Sequence, residues 1–195
     1  MINTYLAYVP LPDELRDRLD AYTKELKNNE LDMLSVPRLR AHVTLMRMNC
    51  EAPDEQHLDD GLSDLNHQPV SFSPKEVKKS SQSAVALKME ESEAIHDLHL
   101  AVADVFANKQ AQPTQHVKPK HQDRYDTIQK YGSPFFGEYY NPHMTIGYTG
   151  EDFDDLPLPR DVNESIQFEA TEVVLSKKEQ DSGRPYEEVG RYEFA

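Results

Sequence analysis

The chain has 195 residues, enough for one domain or two fused lobes around a shared core. Its formal net charge is −14, from 35 acidic against 21 basic side chains, so its surface repels a phosphate backbone at long range and disfavours wrapping of a long duplex. No run approaches the roughly 18–20 apolar residues of a membrane span, and the single cysteine, Cys50, rules out a disulfide framework and points to a reducing cytoplasm.

In chain order, NTYLAYVP (Asn3 to Pro10) is rich in β-formers and bounded by proline. With no basic leader, it reads as a first strand rather than a signal peptide. Leu11, Leu15, Leu19, Tyr22 and Leu26 follow at spacings of four and three, an apolar stripe on a helix whose other face is charged. AHVTLMRM (41–48) is strand-like again. DEQHLDDGLSDLN predicts a short helix, and VSFSPKEVKK a strand interrupted by Pro74, bulged or at an edge. The series then restarts. SAVALKM (Ser83 to Met89) is a strand. The helix after it carries Ile95, Leu98, Val102, Val105 and Phe106 on one face, with acids in the first turn where the helix dipole favours them. PHMTIGYT is a further strand, and IQFEATEVVLSKKE and YEEVGRYEF are two closing strands around the turn QDSGRP. The order strand, amphipathic helix, His-x-Thr strand therefore occurs twice, which implies a duplication with two-fold pseudosymmetry. The expectation is a single α+β domain over residues 1–195, with two lobes of antiparallel sheet, helices outside and a central cleft.

The repeated pairs are His42 with Thr44 and His143 with Thr145. One His-x-[Ser/Thr] match is expected roughly by chance among eight histidines, so context carries the signal. Both pairs sit in apolar strands after the same unit. Side chains alternate along a strand, so His42 and Thr44 share one face while Val43 and Leu45 take the other; His143 and Thr145 oppose Met144 and Ile146 likewise. Pseudosymmetry would bring the two polar faces together. Two opposed imidazoles suit displacement at phosphorus, one neutral ring taking a proton from water while the other, protonated, gives one to the leaving oxygen. The threonine hydroxyls can donate to the non-bridging oxygens as charge moves onto them. Neither a metal ion nor another cofactor is required.

With these motifs the chain resembles the two-histidine (2H) phosphoesterase superfamily, which includes the RNA 2′,3′-cyclic phosphodiesterases known as 2′-5′ RNA ligases. The family signature is a doubled His-x-[Thr/Ser]-x in a duplicated α+β fold, here His42-Val43-Thr44-Leu45 and His143-Met144-Thr145-Ile146. PHMTIGY and the closing VVLSKKEQDSGRPYEEVGRYEF carry further likeness. The resemblance implies catalytic roles for His42 and His143, phosphate binding by Thr44 and Thr145, and a phosphoric diester hydrolase acting on a 2′,3′-cyclic phosphate of RNA ends or nucleotides. The substrate partner is then a nucleotide or RNA terminus, with no long duplex and no membrane, and the protein a monomer. Alternatives are a 2′-5′ oligonucleotide or cyclic dinucleotide phosphodiesterase, or a module that binds nucleotides or RNA ends without cleaving them.

A long segment at about 109–141 separates the second helix from the second motif, where the first half has a far shorter gap. It concentrates Lys109, Lys118, Lys120, Arg124 and Lys130, with Tyr131, Phe135, Phe136, Tyr139 and Tyr140 beyond. It reads either as a lid, with Lys118, Lys120 and Arg124 reaching a phosphate and Tyr139 a base, or as a solvated loop anchored by its aromatics. Arg40 shares strand parity with His42 and Thr44, and so is a candidate phosphate ligand. His96 and His99 read as residues bordering an apolar stripe rather than metal ligands, and Tyr186 as packing in the closing hairpin, whose turn could line the cleft.

Overall fold

The computed structural model describes residues 1–29, 32, 34–35, 41–80, 83–112, 123–154, 156–158, 160–180 and 185–195. The first strand, β1 (Ile2–Pro10), leads into α1 (Asp13–Asn29), then β2 (Leu34–Ser35), β3 (His42–Glu51), α2 (Glu55–Ser63), β4 (Val70–Phe72) and β5 (Pro74–Lys79). The second half runs β6 (Ala84–Met89), α3 (Glu93–Phe106), β7 (Gln110–Gln112), α4 (Tyr125–Tyr131), β8 (His143–Tyr148), β9 (Leu156–Pro157), α5 (Arg160–Ile166), β10 (Phe168–Ala170), β11 (Glu172–Glu179) and β12 (Glu187–Glu193). The α1 stripe of Leu15, Leu19, Tyr22 and Leu26 is buried, as are Ile95, Leu98, Val102 and Phe106 on α3. Ser92 starts α3 by accepting a hydrogen bond from the Ile95 amide at 3.2 Å, which satisfies one donor that the first turn leaves open.

The strands form a ten-stranded sheet in the order β12-β11-β1-β3-β8-β6-β5-β9, with β2 beside β8 and β7 beside β3, while β4 and β10 form a separate ribbon. The ladders are antiparallel. The duplication is longer than the motif-bearing unit alone. Each half reads strand, helix, motif strand, helix, strand, strand: β1-α1-β3-α2-β4-β5 against β6-α3-β8-α5-β10-β11. The last strand of each half crosses to the first strand of the other, β5 pairing β6 and β11 pairing β1. β4 and β10 meet across the same axis. One hydrophobic cluster, including Val43, Leu45, Leu87, Val102, Met144 and Val173, runs through both halves.

Two expectations change. VSFSPKEVKK is two strands in different sheets: the chain leaves the β4–β10 ribbon at Ser73 and enters the large sheet at Pro74, where the missing N–H and a register shift mark the transfer. The segment at 109–141 is not a plain loop in its described part. It holds β7, α4 and a 3₁₀ turn at Gly137–Tyr139, and α4 docks by burying Ile128 and Tyr131. Lys130 and the Tyr131 hydroxyl both reach Asp104 of α3, at 2.7 and 3.1 Å, and Gly132 closes α4 in the left-handed region at φ 74°.

Candidate active site

Along β3 the residues His42, Val43, Thr44 and Leu45 alternate between half-buried and buried, and along β8 His143, Met144, Thr145 and Ile146 repeat the same alternation. The apolar members seal the core and the imidazoles and hydroxyls take the other face. β3 and β8 touch at their N-terminal ends through one ladder pair among the described residues, Val43 with Met144. These are the middle residues of the two motifs, so the pseudo-two-fold axis passes between them. Antiparallel register carried one residue each way sets His42 opposite Thr145 and Thr44 opposite His143. Directly opposite Cβ atoms in such a pair lie roughly 4.5–5.5 Å apart and diagonal neighbours roughly 7–8 Å, so this register gives the two histidines and two threonines neighbouring positions on the two strands. Beyond this junction the strands part: β7 lies beside Asn49 and Cys50 of β3, and β2 beside Gly147 and Tyr148 of β8.

The two histidines have different surroundings. On β1, Tyr8 lies opposite Thr44, and its ring packs on His42 with centroids 4.7 Å apart. On β6, Lys88 lies directly opposite His143 and Ala86 opposite Thr145. The Nδ1–H of His143 donates to the Asn141 carbonyl at 2.9 Å, which fixes the tautomer and leaves Nε2 as the acceptor. Burial first, and the Lys88 ammonium as well, hold the His143 pKa below the ordinary imidazole value, against the opposing pull of the Asn141 carbonyl. Burial likewise lowers the Lys88 pKa.

The segment before β8 hangs on the first motif strand. Fully buried His99 donates from Nδ1 to the Leu45 carbonyl at 2.9 Å and accepts the Gly137 amide at Nε2, also at 2.9 Å. Tyr140 stacks on His99 with ring centroids 3.9 Å apart, and its hydroxyl donates to the Thr44 carbonyl at 3.0 Å. Desolvation pushes the His99 pKa down to about 4, so the ring is neutral, as these bonds require. His99 is thus a core clamp rather than a boundary residue.

Of the other candidates, Arg40, Lys118 and Lys120 lie outside the described residues. Arg124 and Tyr139 meet each other, the guanidinium 4.0 Å above the ring centroid. Arg124 also donates to the Pro134 carbonyl at 3.1 Å, so these contacts tie it to its own segment rather than to the motif strands. The signals missed in the sequence are cross-strand ones, Lys88 and Tyr8. A groove of about 360 Å³ lined by Glu91, Glu93, His96, Tyr140 and Pro142 includes none of the four motif histidines and threonines in its lining. Among the described residues no group of three His, Cys, Asp or Glu could hold a metal ion, and no helix is long and apolar enough to cross a membrane.

A duplicated antiparallel fold that sets one His-x-Thr from each half across a pseudo-two-fold axis defines the two-histidine phosphoesterase class. The profile of the 2′-5′ RNA ligase superfamily matches residues 11–182, and the chain belongs to that family. The fold is similar to Escherichia coli LigT complexed with phosphate, with a TM-score of 0.69 at 14% identity over 99% of this chain and 98% of that one. LigT complexed with NADP+ gives 0.71 at 15% over 100% and 99%. TT0787 of Thermus thermophilus gives 0.64 at 14% over 98% and 97%. No curated protein sequence matches the chain.

Proposed function

We propose that the protein is a phosphoric diester hydrolase that opens a 2′,3′-cyclic phosphate on an RNA end or nucleotide, with the two histidines supplying proton transfer. The observation that supports this reading is the Val43–Met144 pair, a ladder contact between the middle residues of the two His-x-Thr motifs. LigT, of the same fold, has been crystallised with phosphate, 3′-AMP and ATP, which supports a ligand of nucleotide type.

In this reading Nε2 of His143 takes a proton from water as its oxygen attacks phosphorus. His42, protonated, gives its proton to the departing ribose oxygen as the P–O bond breaks, leaving a phosphate monoester and a free hydroxyl. Thr44, Thr145 and the Lys88 ammonium stabilise the non-bridging oxygens. The lowered His143 pKa suits a base that must be neutral near pH 7.

The test is His42→Ala and His143→Ala, each assayed with chelator on nucleoside 2′,3′-cyclic phosphates, 2′-5′ dinucleotides and cyclic dinucleotides. Each substitution is expected to cost about 10²–10⁴ in turnover with the circular dichroism unchanged. Full activity in either variant overturns the paired mechanism. Cleavage confined to the 2′-5′ or cyclic dinucleotide substrates moves the activity to those linkages, and tight binding without product makes the protein a binding module.

A further inference from the structure

β3 carries a bulge at the last residue of its motif. Tyr8 pairs Thr44 and Ala7 pairs Met46, so Leu45 is the extra residue, and Leu45 and Met46 are both buried. The alternation restarts in the opposite phase. Arg47 pairs Leu6, two residues from Tyr8 on the same face of β1, so Arg47 lies on the face of His42 and Thr44 and is exposed. Without the bulge it would point into the core. It sits about 7 Å beyond Thr44 along the strand, roughly one nucleotide's span.

A second cation stands near it. Lys178 of β11 pairs Thr4, a further two residues along the same face of β1. Tyr186 joins the two: Arg47 donates to its hydroxyl, and the Lys178 ammonium lies 5.1 Å from its ring centroid. Among the described residues neither Arg47 nor Lys178 forms an ion pair with a carboxylate. Two acids of the neighbouring strands, Glu172 and Glu188, engage Arg191 at 2.7 and 2.9 Å. In a chain of net charge −14, two cations thus converge on one aromatic ring without a carboxylate among the described residues.

We infer that Arg47, Lys178 and Tyr186 form a second phosphate subsite, which takes the internal phosphodiester next to the reacting end. The favoured substrate class is therefore an oligonucleotide ending in a 2′,3′-cyclic phosphate rather than a mononucleotide. This rests on the hydrolase reading above. Arg47 supplies the fork for the non-bridging oxygens, Lys178 a second positive charge, and Tyr186 holds the guanidinium between them.

The experiment compares kcat/KM on a nucleoside 2′,3′-cyclic monophosphate and on a dinucleotide with the same terminal nucleoside, for the intact protein, Arg47→Ala and Lys178→Ala. The intact protein is expected to prefer the dinucleotide by about tenfold or more. Each variant loses most of that preference while its rate on the mononucleotide stays within about threefold of the intact protein's. Equal rates on the two substrates in the intact protein, or equal losses on both in the variants, overturn the subsite. If neither substrate is cleaved, the hydrolase reading fails by itself, and the subsite is read by calorimetry. A dinucleotide 3′-monophosphate must then bind about tenfold tighter than the mononucleotide, and the gap must close in Arg47→Ala; no gap overturns it.

Discussion

His42 and His143 occupy equivalent positions in a duplicated frame, yet one faces a tyrosine ring and the other an ammonium. Around His42 the neighbour is Tyr8, an uncharged aromatic whose ring packs on the imidazole. Around His143 it is Lys88, whose charge disfavours a second cation, and the Asn141 carbonyl already holds the Nδ1 proton. The difference lies one strand away from the motifs: the duplicated strands set positions in pairs, and the neighbouring strands give the two histidines unlike surroundings.

The largest effect separates partnership from independence. His42→Ala combined with His143→Ala should be little worse than either single variant, because a base without an acid completes no cycle; single-turnover rates check this, and additive losses would break the comparison. Next, Lys88→Gln removes a charge that holds the His143 pKa down. A neutral base is required, so the acid limb of kcat/KM should move to higher pH, with kcat/KM at pH 6 falling several-fold; a pH–rate profile reads it. An unmoved limb would assign the base role elsewhere. Tyr8→Leu, the counterpart on the other side, should leave that limb in place.

The clamp between the halves is expected to appear in stability. His99→Leu leaves the buried Leu45 carbonyl and Gly137 amide without this partner, a cost of about 2–4 kcal/mol by urea titration. The pH dependence has a definite sign. The folded-state pKa of His99, about 4, is depressed below the ordinary value, so its contribution is intact above roughly pH 6.5. It is lost as the pH falls towards 4, by about 3 kcal/mol, because the unfolded chain takes up the proton first. In His99→Leu that part of the slope should vanish. Smallest is Tyr140→Phe, which loses one hydrogen bond to the Thr44 carbonyl and about 1 kcal/mol.

The motifs, their strands and the preceding strand–helix units were legible because they rest on short periodicities, two for β3 and β8, three to four for α1 and α3. What escaped depends on register. Strict alternation from His42 would turn Arg47 to the core, whereas the bulge at Leu45 reverses parity there and turns Arg47 to the histidine's face. Lys88 lies 55 positions from His143, and only the β6–β8 ladder makes them neighbours. α4 was hidden because seven residues with two buried side chains give no periodicity. His99 read as a border residue because its stripe is apolar, and only the partners across the core show why a buried imidazole belongs there.

The crossing of the last strands between halves also orders events during synthesis. β1 is translated well before β11 (Glu172–Glu179), the strand that covers its outer edge. Until those residues leave the ribosome, a growing polypeptide presents an unpaired edge next to Tyr5 and Ala7, open to the same edge of another nascent copy. A premature stop before β11 would make that exposure permanent, so truncated products should collect in inclusion bodies even though both histidines have already been translated.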